Sequence, residues 1–204
     1  MLHHRRIFAI VVPVLLLLDQ ATKVGIRHVF EEGSGGRFDV IPSFFSIVHV
    51  ENRGAAWGLF ANSSFRIGFF AVVTLIAFGV ILNYYRKLGP DDRMLAWSLS
   101  AIFAGAAGNF IDRMTRGQVT DFLDFYATGA TGDLVARVIG SAHWPAFNVA
   151  DIAICVGVGL FAVHVLFVEP RRTPADTGHS ATPGESVGLP GVDAMTTSTG
   201  APRP

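Results

Sequence analysis

Apolar residues form four long stretches along this chain, separated by short polar or glycine-rich segments. They cover about residues 7–26, 67–85, 94–111 and 147–168, and each is close to the ~20 residues that a helix needs to cross a bilayer. We therefore predict an all-α membrane protein, built as a bundle of four transmembrane helices. The third stretch is rich in Ala and Gly, which let helices approach closely, so we expect it at the centre of the bundle.

The first stretch follows a short basic N-terminal segment, which is also the pattern of a cleavable signal peptide. A signal peptide would end in a small-x-small cleavage site, whereas Asp19-Gln20-Ala21-Thr22-Lys23 follows here and apolar residues then resume. We therefore interpret residues 7–26 as the first membrane-spanning helix. Pro13 is tolerable there, because neighbouring helices can satisfy the backbone carbonyl that it leaves free.

The segments outside these stretches predict a small extramembrane part and a tail. Residues 38–60 are rich in Phe, Val and Ile, punctuated by Pro and Gly, and predict a small antiparallel β-sheet. Residues 116–145 form a second, glycine-rich loop. From residue 169 to residue 204 Pro, Gly, Ser and Thr dominate, so we expect a disordered tail there, separate from the membrane domain 1–168.

Four spans place both chain termini on one side of the membrane. Basic residues cluster at the span ends on that side, and the positive-inside rule makes it the cytoplasmic side. The opposite side also holds arginines, so the orientation depends on this clustering and on the tight turn between the second and third spans. The clustered residues are Arg5, Arg6, Arg86, Lys87, Arg93, Arg171 and Arg172.

Composition narrows the possible functions. Of 204 residues 50% are hydrophobic and 16% charged, and the formal net charge is zero, which gives no basic field for nucleic acid. The single cysteine, Cys155, excludes an intramolecular disulfide, and we interpret it as a small buried hydrophobe. There is no His-Glu-x-x-His motif and no cluster of His or Cys, so we expect no metal and no cofactor.

The polar residues of the spans gather at one predicted end of the bundle. Charge at the edge of a span is costly, and such a gathering indicates a function, although interhelical hydrogen bonds and ion pairs explain each residue singly. Spacings of three or four residues place each group on one helix face. The groups are Asp19 and Lys23 in the first span, Asn109, Asp112 and Arg113 in the third, and Asn148 and Asp151 in the fourth.

Asp121 and Asp151 are the carboxylates left once the lysine and arginine of the spans are assigned to the others. Two carboxylates held close in low dielectric do not both ionise easily, so one keeps a proton. An aspartic protease uses this arrangement: one carboxylate accepts a proton from water while the other polarises the scissile carbonyl. The residues thus indicate a catalytic pair, with a purely structural role as the alternative.

The chain resembles lipoprotein signal peptidase, also called signal peptidase II, over about residues 7–168. Four blocks carry the resemblance in the family's order, each at the expected end of a span, which makes the match highly specific. They are Asp19-Gln20-Ala21-Thr22-Lys23, residues 51–58 (Glu-Asn-Arg-Gly-Ala-Ala-Trp-Gly), residues 108–113 with residues 117–122, and Phe147-Asn148-Val149-Ala150-Asp151.

The resemblance implies a multi-pass aspartyl endopeptidase of the bacterial inner membrane. Such enzymes remove the signal peptide of a prolipoprotein by cleaving just before its diacylglyceryl-modified cysteine. The family's catalytic pair corresponds to Asp121 and Asp151, and Asp124 lies outside the motif and ranks below Asp121. By the same correspondence the residues that line or brace the site are Asp19, Lys23, Asn52, Gly54, Asn109, Asp112, Arg113 and Asn148.

The resemblance also implies an arrangement around the membrane. The sheet would be a cradle for the substrate and residues 116–145 a partial lid, with the site near the outer leaflet and both termini in the cytoplasm. The expected partners are the prolipoprotein and membrane lipid, without nucleic acid, and we expect a monomer. Two features depart from the family: the segment 127–143 and the tail are longer than usual, which leaves substrate gating open.

Other functions fit the sequence less well. A presenilin-like protease needs a Gly-x-Gly-Asp motif and a rhomboid-like protease needs a Gly-x-Ser-x-Gly context, and both are absent. The main alternative is a small proton-coupled transporter or channel subunit, in which carboxylates near the midplane relay protons and internal repeats are common. Here the carboxylates gather at one end and no repeat is visible. A non-catalytic assembly factor would not need the intact motifs.

Overall fold

The computed structural model describes residues 2–30, 36–54 and 65–168. Four of its helices are long and apolar enough to cross a membrane, and three strands form one small antiparallel sheet, so the predicted fold class is confirmed. The predicted tail, residues 169–204, lies outside the described residues. The elements are α1 (Leu2–Val29), β1 (Arg37–Ile41), β2 (Phe45–Asn52), α2 (Arg66–Arg86), α3 (Arg93–Arg116), β3 (Val119–Phe125), α4 (Gly129–Ile139) and α5 (Val149–Val163), which continues as a π-helix (His164–Val168).

Helix α3 lies at the centre of the bundle, as its small residues predict, and packs against α1, α2 and α5. Close contact with α5 depends on glycine. A side chain at Gly105 would collide with the carbonyl oxygen of Ala150, and one at Gly157 with the carbonyl oxygen of Ser98. The Ser98 hydroxyl also donates to the Gly157 carbonyl at 2.8 Å, so the two helices are joined by a hydrogen bond where their backbones approach.

Helix α3 is longer than its apolar stretch. The pattern predicts a span that ends near residue 111, whereas the helix continues to Arg116 and ends at Gly117, whose φ of 74° is left-handed. Apolar residues indicate the part of a helix that lies in lipid, and the helix itself ends where its backbone is capped. Asn109, Asp112 and Arg113 are therefore held on a continuous helix.

The sheet has the order β1-β2-β3, with both neighbouring pairs antiparallel. Its third strand comes from the segment 116–145, which the sequence pattern predicts as a loop. That prediction is wrong in detail. The glycines of the segment favour irregular structure, but Val119–Phe125 is a mostly buried strand of the sheet and Gly129–Ile139 is helical. Residues 55–60 of the predicted sheet segment lie outside the described residues.

A short return segment, residues 142–147, runs back along β3 before α5 begins. The amides of Phe147 and Leu123 donate to each other's carbonyl oxygens at 3.1 and 2.9 Å, and the amide of Trp144 donates to Phe125 at 2.8 Å. Strand β3 is thus bonded to β2 on one side and to the return segment on the other. This arrangement brings the start of α5 beside the middle of β3.

Many large apolar side chains of the spans point away from the protein, as expected of surfaces that face lipid. They include Leu17 of α1, Ile76 of α2 and Val156 of α5, which are 69%, 62% and 54% exposed. Cys155 is exposed on α5 as well, so its interpretation as a buried hydrophobe is wrong. Its apolar neighbours in the sequence indicate the bilayer as readily as a protein core, and the structure places it on the outward surface.

Candidate active site

Lys23 lies at the centre of a buried charged cluster between α1 and α3. Its side chain is fully buried, and its Nζ lies 2.9 Å from Oδ2 of Asp19 and 2.9 Å from Oδ2 of Asp112, which are each 1% exposed. The third donor of the ammonium binds Oδ1 of Asn109 at 3.0 Å. One cation therefore compensates two carboxylates and orients an amide of the neighbouring helix.

Asp19 also connects this cluster to α5. Its Oδ1 accepts a hydrogen bond from the amide of Ala150 at 2.9 Å, one of the amides that the first turn of a helix leaves without an internal partner. The carboxylate fits because residue 108 is glycine: a side chain there would collide with Asp19 Oδ2. Asp19 thus fixes the beginning of α5 relative to both other helices.

Gln20 is a further member of the cluster that sequence reasoning did not single out. Its Nε2 donates to Asp19 Oδ2 at 3.0 Å and to the carbonyl oxygen of Gly108 at 3.3 Å. Its place directly after Asp19 in the first sequence block was the available signal. Its polar amide, adjacent to a carboxylate within an apolar span, needs a buried partner of its own.

Asp121 lies on β3 and is 2% exposed. Two side-chain amides donate to its carboxylate, one to each oxygen: Asn52 Nδ2 to Oδ2 at 3.0 Å and Asn148 Nδ2 to Oδ1 at 2.7 Å. Asn52 comes from β2 and Asn148 from the residue before α5. The carboxylate is therefore held from both sides of β3 by neutral donors, with no cation in direct contact among the described residues.

Asp151 lies in the first turn of α5 and is bound to the same asparagine. Asn148 and Asp151 form a capping box. The Asn148 side-chain oxygen Oδ1 accepts a hydrogen bond from the backbone N–H of Asp151, and Asp151 Oδ2 accepts one from the backbone N–H of Asn148, both at 3.1 Å. Asn109 Nδ2 donates to the other oxygen of Asp151 at 2.8 Å. Asn148 consequently contacts both carboxylates, which places Asp121 and Asp151 side by side.

Burial changes the acidity of Asp121. Loss of hydration raises its pKa from the ordinary 3.8 to about 7, and the negative charge of Asp151 acts in the same direction. The hydrogen bonds from Asn52 and Asn148 and the charge of Lys23 act against this rise but do not cancel it. Asp121 is therefore protonated below about pH 7. A carboxyl group that gains and loses a proton near neutral pH is suited to acid–base chemistry on water.

Arg113 braces the second sequence block rather than the carboxylates directly. Its Nη2 donates to the carbonyl oxygen of Gly54 at 3.2 Å, and its guanidinium lies 4.5 Å from the centre of the Phe70 ring. The amide of Gly54 in turn donates to Oδ1 of Asn52 at 3.0 Å, which leaves the Asn52 amide pointing at Asp121. Residues 55–58 of this block lie outside the described residues.

Asp124, the competing carboxylate, does not join this site. It lies three positions after Asp121, so the two side chains point to opposite faces of β3. Its partners are Ser46, His143 and Arg37, on the extramembrane part. The structure thus brings all ten predicted site residues into one connected network and leaves Asp124 out of it. In the described part of the chain, no group of three His, Cys, Asp or Glu side chains is arranged to hold a metal ion.

Comparison with known proteins shows what this chain is similar to. A family model described as signal peptidase (SPase) II matches residues 11–167. The chain is 45% identical to the lipoprotein signal peptidase of Geobacter metallireducens over 168 residues, covering 82% of this chain and 95% of that protein. It is 46% identical to that of Geobacter sulfurreducens over 169 residues, covering 83% and 97%.

Solved structures agree with the sequence comparison. Two structures described as bacterial membrane enzymes superpose with TM-scores of 0.66 and 0.63, at 30% and 31% sequence identity. The first alignment covers 81% of this chain and 90% of the other, and the second covers 78% and 92%. Both the fold and most of the chain length are therefore shared with these proteins.

Proposed function

This chain belongs to the signal peptidase II family, and from that premise we propose that Asp121 and Asp151 are its catalytic pair. The family is one of aspartic peptidases, hydrolases that act on peptide bonds and process prolipoproteins, and the chain is a multi-pass inner-membrane protein. The observation that carries the proposal is the position of Asn148. It donates to Asp121 and forms a capping box with Asp151, so that one side chain holds both carboxylates together.

In the proposed reaction the two carboxyl groups have different roles. Asp151 accepts a proton from the attacking water as the water oxygen bonds to the scissile carbonyl carbon. Asp121, with a pKa raised to about 7, is the protonated member, which donates to the carbonyl oxygen as negative charge develops there. The tetrahedral intermediate then breaks the carbon–nitrogen bond: the leaving amine takes up the proton that Asp151 accepted from water, and Asp121 regains its proton from the intermediate's hydroxyl group. Water supplies all the atoms that are added.

The remaining site residues would position this pair. Lys23, Asp19 and Asp112 brace the three helices, while Asn52, Asn109 and Asn148 orient the carboxylates. Arg113 and Gly54 hold the segment that carries Asn52. These contacts support a site built for rigidity, because catalytic groups misplaced by about 1 Å lose much of their effect.

The proposed substrate is a prolipoprotein whose cysteine carries a diacylglyceryl group, with cleavage just before that cysteine. A lipidated cysteine fixes the scissile bond near the headgroups, and the apolar signal peptide lies in the bilayer beside the helices. The catalytic pair belongs at the outer leaflet, with both termini in the cytoplasm, and the enzyme acts as a monomer without cofactor or metal. The location of the pair, on β3 and in the first turn of α5 rather than at mid-helix, favours this over a proton-coupled transporter.

A gel-shift assay tests the proposed specificity. Purified enzyme in lipid is incubated with one prolipoprotein in two forms, with and without the diacylglyceryl group. We expect the lipidated form to be cleaved at least about 100-fold faster. The lipid holds the scissile bond beside the catalytic pair, so this substrate loses less orientational entropy on binding than the unlipidated one. Mass spectrometry of the product should show the modified cysteine as its first residue. Equal rates for the two forms, or another cleavage point, would contradict the proposal.

The raised pKa of Asp121 predicts how activity and stability depend on pH. Above about pH 7 the shared proton is lost, so cleavage should fall on the alkaline side. Stability has the same sign: the folded state holds a proton from pH 3.8 to about 7 that the unfolded state has released, so stability decreases across that window as pH rises. Asp121→Asn removes this cost, which is on the order of 4 kcal/mol for a shift from 3.8 to about 7. Thermal unfolding should therefore show Asp121→Asn above wild type at pH 8 and level with it near pH 4.

A further inference from the structure

A second carboxylate cluster, around the buried Asp124, lies on the other face of β3, and the proposed reaction does not use it. Asp124 is 5% exposed, and three side chains bind its carboxylate. Ser46 Oγ donates to Oδ2 at 3.0 Å, His143 Nδ1 lies 3.0 Å from both oxygens, and Arg37 Nη1 lies 3.4 Å from Oδ2. A buried carboxylate that is bound by several side chains helps to fix the positions of the chain segments that carry them.

The four donors and acceptors of this cluster come from all three strands of the sheet and from the return segment. Arg37 belongs to β1, Ser46 to β2, Asp124 to β3 and His143 to the return segment. Tyr126, just after β3, adds two ring contacts: the Arg37 guanidinium lies 3.9 Å from its ring centre, and the His143 imidazole stacks on it at 5.3 Å and 14°. His143 therefore attaches the return segment to the sheet through its side chain, as does Phe147, whose ring stacks on Phe125 at 5.8 Å.

The return segment leads directly to Asn148 and Asp151, the last two residues of the site in chain order. It leads from α4 to the residue that caps α5, and Pro145 in its middle has no amide hydrogen to donate. Backbone bonds hold it at Ala142, Trp144 and Phe147. Between the first two of these His143 adds the bond to Asp124, so the side opposite the catalytic pair is also anchored.

The chain from His143 to Asn148 binds β3 through two side-chain contacts, one on each face of the strand. On one face of β3 the return segment leads into Asn148, whose side-chain amide donates to Asp121 at 2.7 Å. On the other face its His143 holds Asp124 at 3.0 Å. Because successive strand residues alternate between faces, a change of register at either contact would misplace the other. Both contacts must therefore form for the Asn148 side-chain amide to reach the carboxylate of Asp121.

We propose that His143 is a positioning residue of the peptidase, which through Asp124 fixes how the return segment meets the catalytic face of β3. This inference rests on the proposed function. His143 touches neither catalytic carboxylate, and its effect on the reaction passes through the backbone to Asn148. The expected signature is a loss in the rate of the chemical step without a loss of substrate affinity.

The test compares two replacements of His143 in the full-length enzyme, with a lipidated prolipoprotein as substrate. His143→Phe keeps a ring to stack on Tyr126 but has no donor for Asp124. His143→Gln keeps a donor. We expect His143→Phe to lower kcat about tenfold while KM changes less than about twofold, and His143→Gln to recover kcat to within about threefold of wild type. Val80→Ala on α2, at a residue 62% exposed and outside the expected lid, is the control and should cleave as wild type does.

The outcomes separate the positioning role from a merely structural one. If folded His143→Phe has wild-type kcat, or only its yield is lower, the role is overturned, and likewise if the glutamine variant is as slow as the phenylalanine variant. Should His143→Phe not fold, Asp124→Asn decides by the same kcat criterion. A wild-type enzyme that does not cleave, or an active Asp121→Asn enzyme, would instead overturn the proposed function. Cleavage by wild type with no effect at His143 overturns only the positioning role.

Discussion

Asp121→Asn and Asp151→Asn are each expected to reduce cleavage of a lipidated prolipoprotein by about 10³-fold or more, while the protein still inserts and folds. Asparagine has nearly the shape of aspartate, but it can neither accept a proton from water nor donate an acidic one. Both carboxylates are held mainly by neutral amides and backbone groups. The measurement is the initial rate of signal peptide release by purified variants, with thermal unfolding as the check of folding.

The same substitution at a third aspartate is the control for this prediction. Asp133 is exposed on α4, away from the site network, so Asp133→Asn should leave the rate unchanged. The two catalytic variants should also fail together: the double variant should be no slower than either single one, since removing either member already disables the pair. Full activity in either single variant would show that water is activated by another group.

A part of the molecule can be predicted from the sequence when its structure depends on neighbouring residues, and less well when it depends on contacts between distant segments. A helix that crosses a membrane must satisfy its backbone internally and be apolar over about 20 residues, so a single stretch is enough to predict it. The polar residues in the same stretches were predictable for the same reason. Asp19 and Lys23 share a helix face by spacing alone, and the structure shows them 2.9 Å apart.

The extramembrane part follows less directly, because strand pairing joins distant segments. Val119–Phe125 becomes a strand only by pairing with Phe45–Asn52, more than sixty residues earlier, and its glycine-rich neighbours favoured a loop. The same distance along the chain explains why the sequence separates Asp124 from Asp121 by motif alone. Once residues 119–125 are known to form a strand, alternation assigns it to the opposite face from Asp121.

Gln20 shows the remaining limit. Spacing within a helix identifies which residues share a face, but it does not say which backbone carbonyl another helix presents there. Gln20 reaches the carbonyl of Gly108 on α3 only because glycine brings the two helices close together. Contacts that depend on the absence of a side chain have no pattern in the partner sequence. They become visible only when the packed helices are compared.

Lys23→Met is the second substitution with a large expected effect, and it acts on stability first. The change keeps an unbranched side chain of similar length but removes the one cation between Asp19 and Asp112, leaving two carboxylates buried without their partner. Removal of one partner from a buried ionic cluster costs about 3–5 kcal/mol. We therefore expect a markedly lower thermal midpoint and, because Asn109 loses its orienting bond, slower cleavage by the fraction that folds. Lys87→Met at the exposed end of α2 is the control and should change neither quantity.

A triple variant tells whether charge compensation or the lysine itself is what matters. Combining Lys23→Met with Asp19→Asn and Asp112→Asn removes both carboxylate charges along with the ammonium, so no uncompensated charge stays buried. The side-chain carbonyl that Asp19→Asn introduces can still accept from the amide of Ala150, which preserves the tie to α5. Since neutral replacement of a whole buried cluster is often close to neutral in free energy, the triple variant should recover most of the lost thermal midpoint. Recovery of stability without recovery of the cleavage rate would assign the ammonium's bond to Asn109, and through it the orientation of Asp151, to catalysis. A triple variant as unstable as Lys23→Met would contradict the electrostatic explanation and leave side-chain packing as the cause.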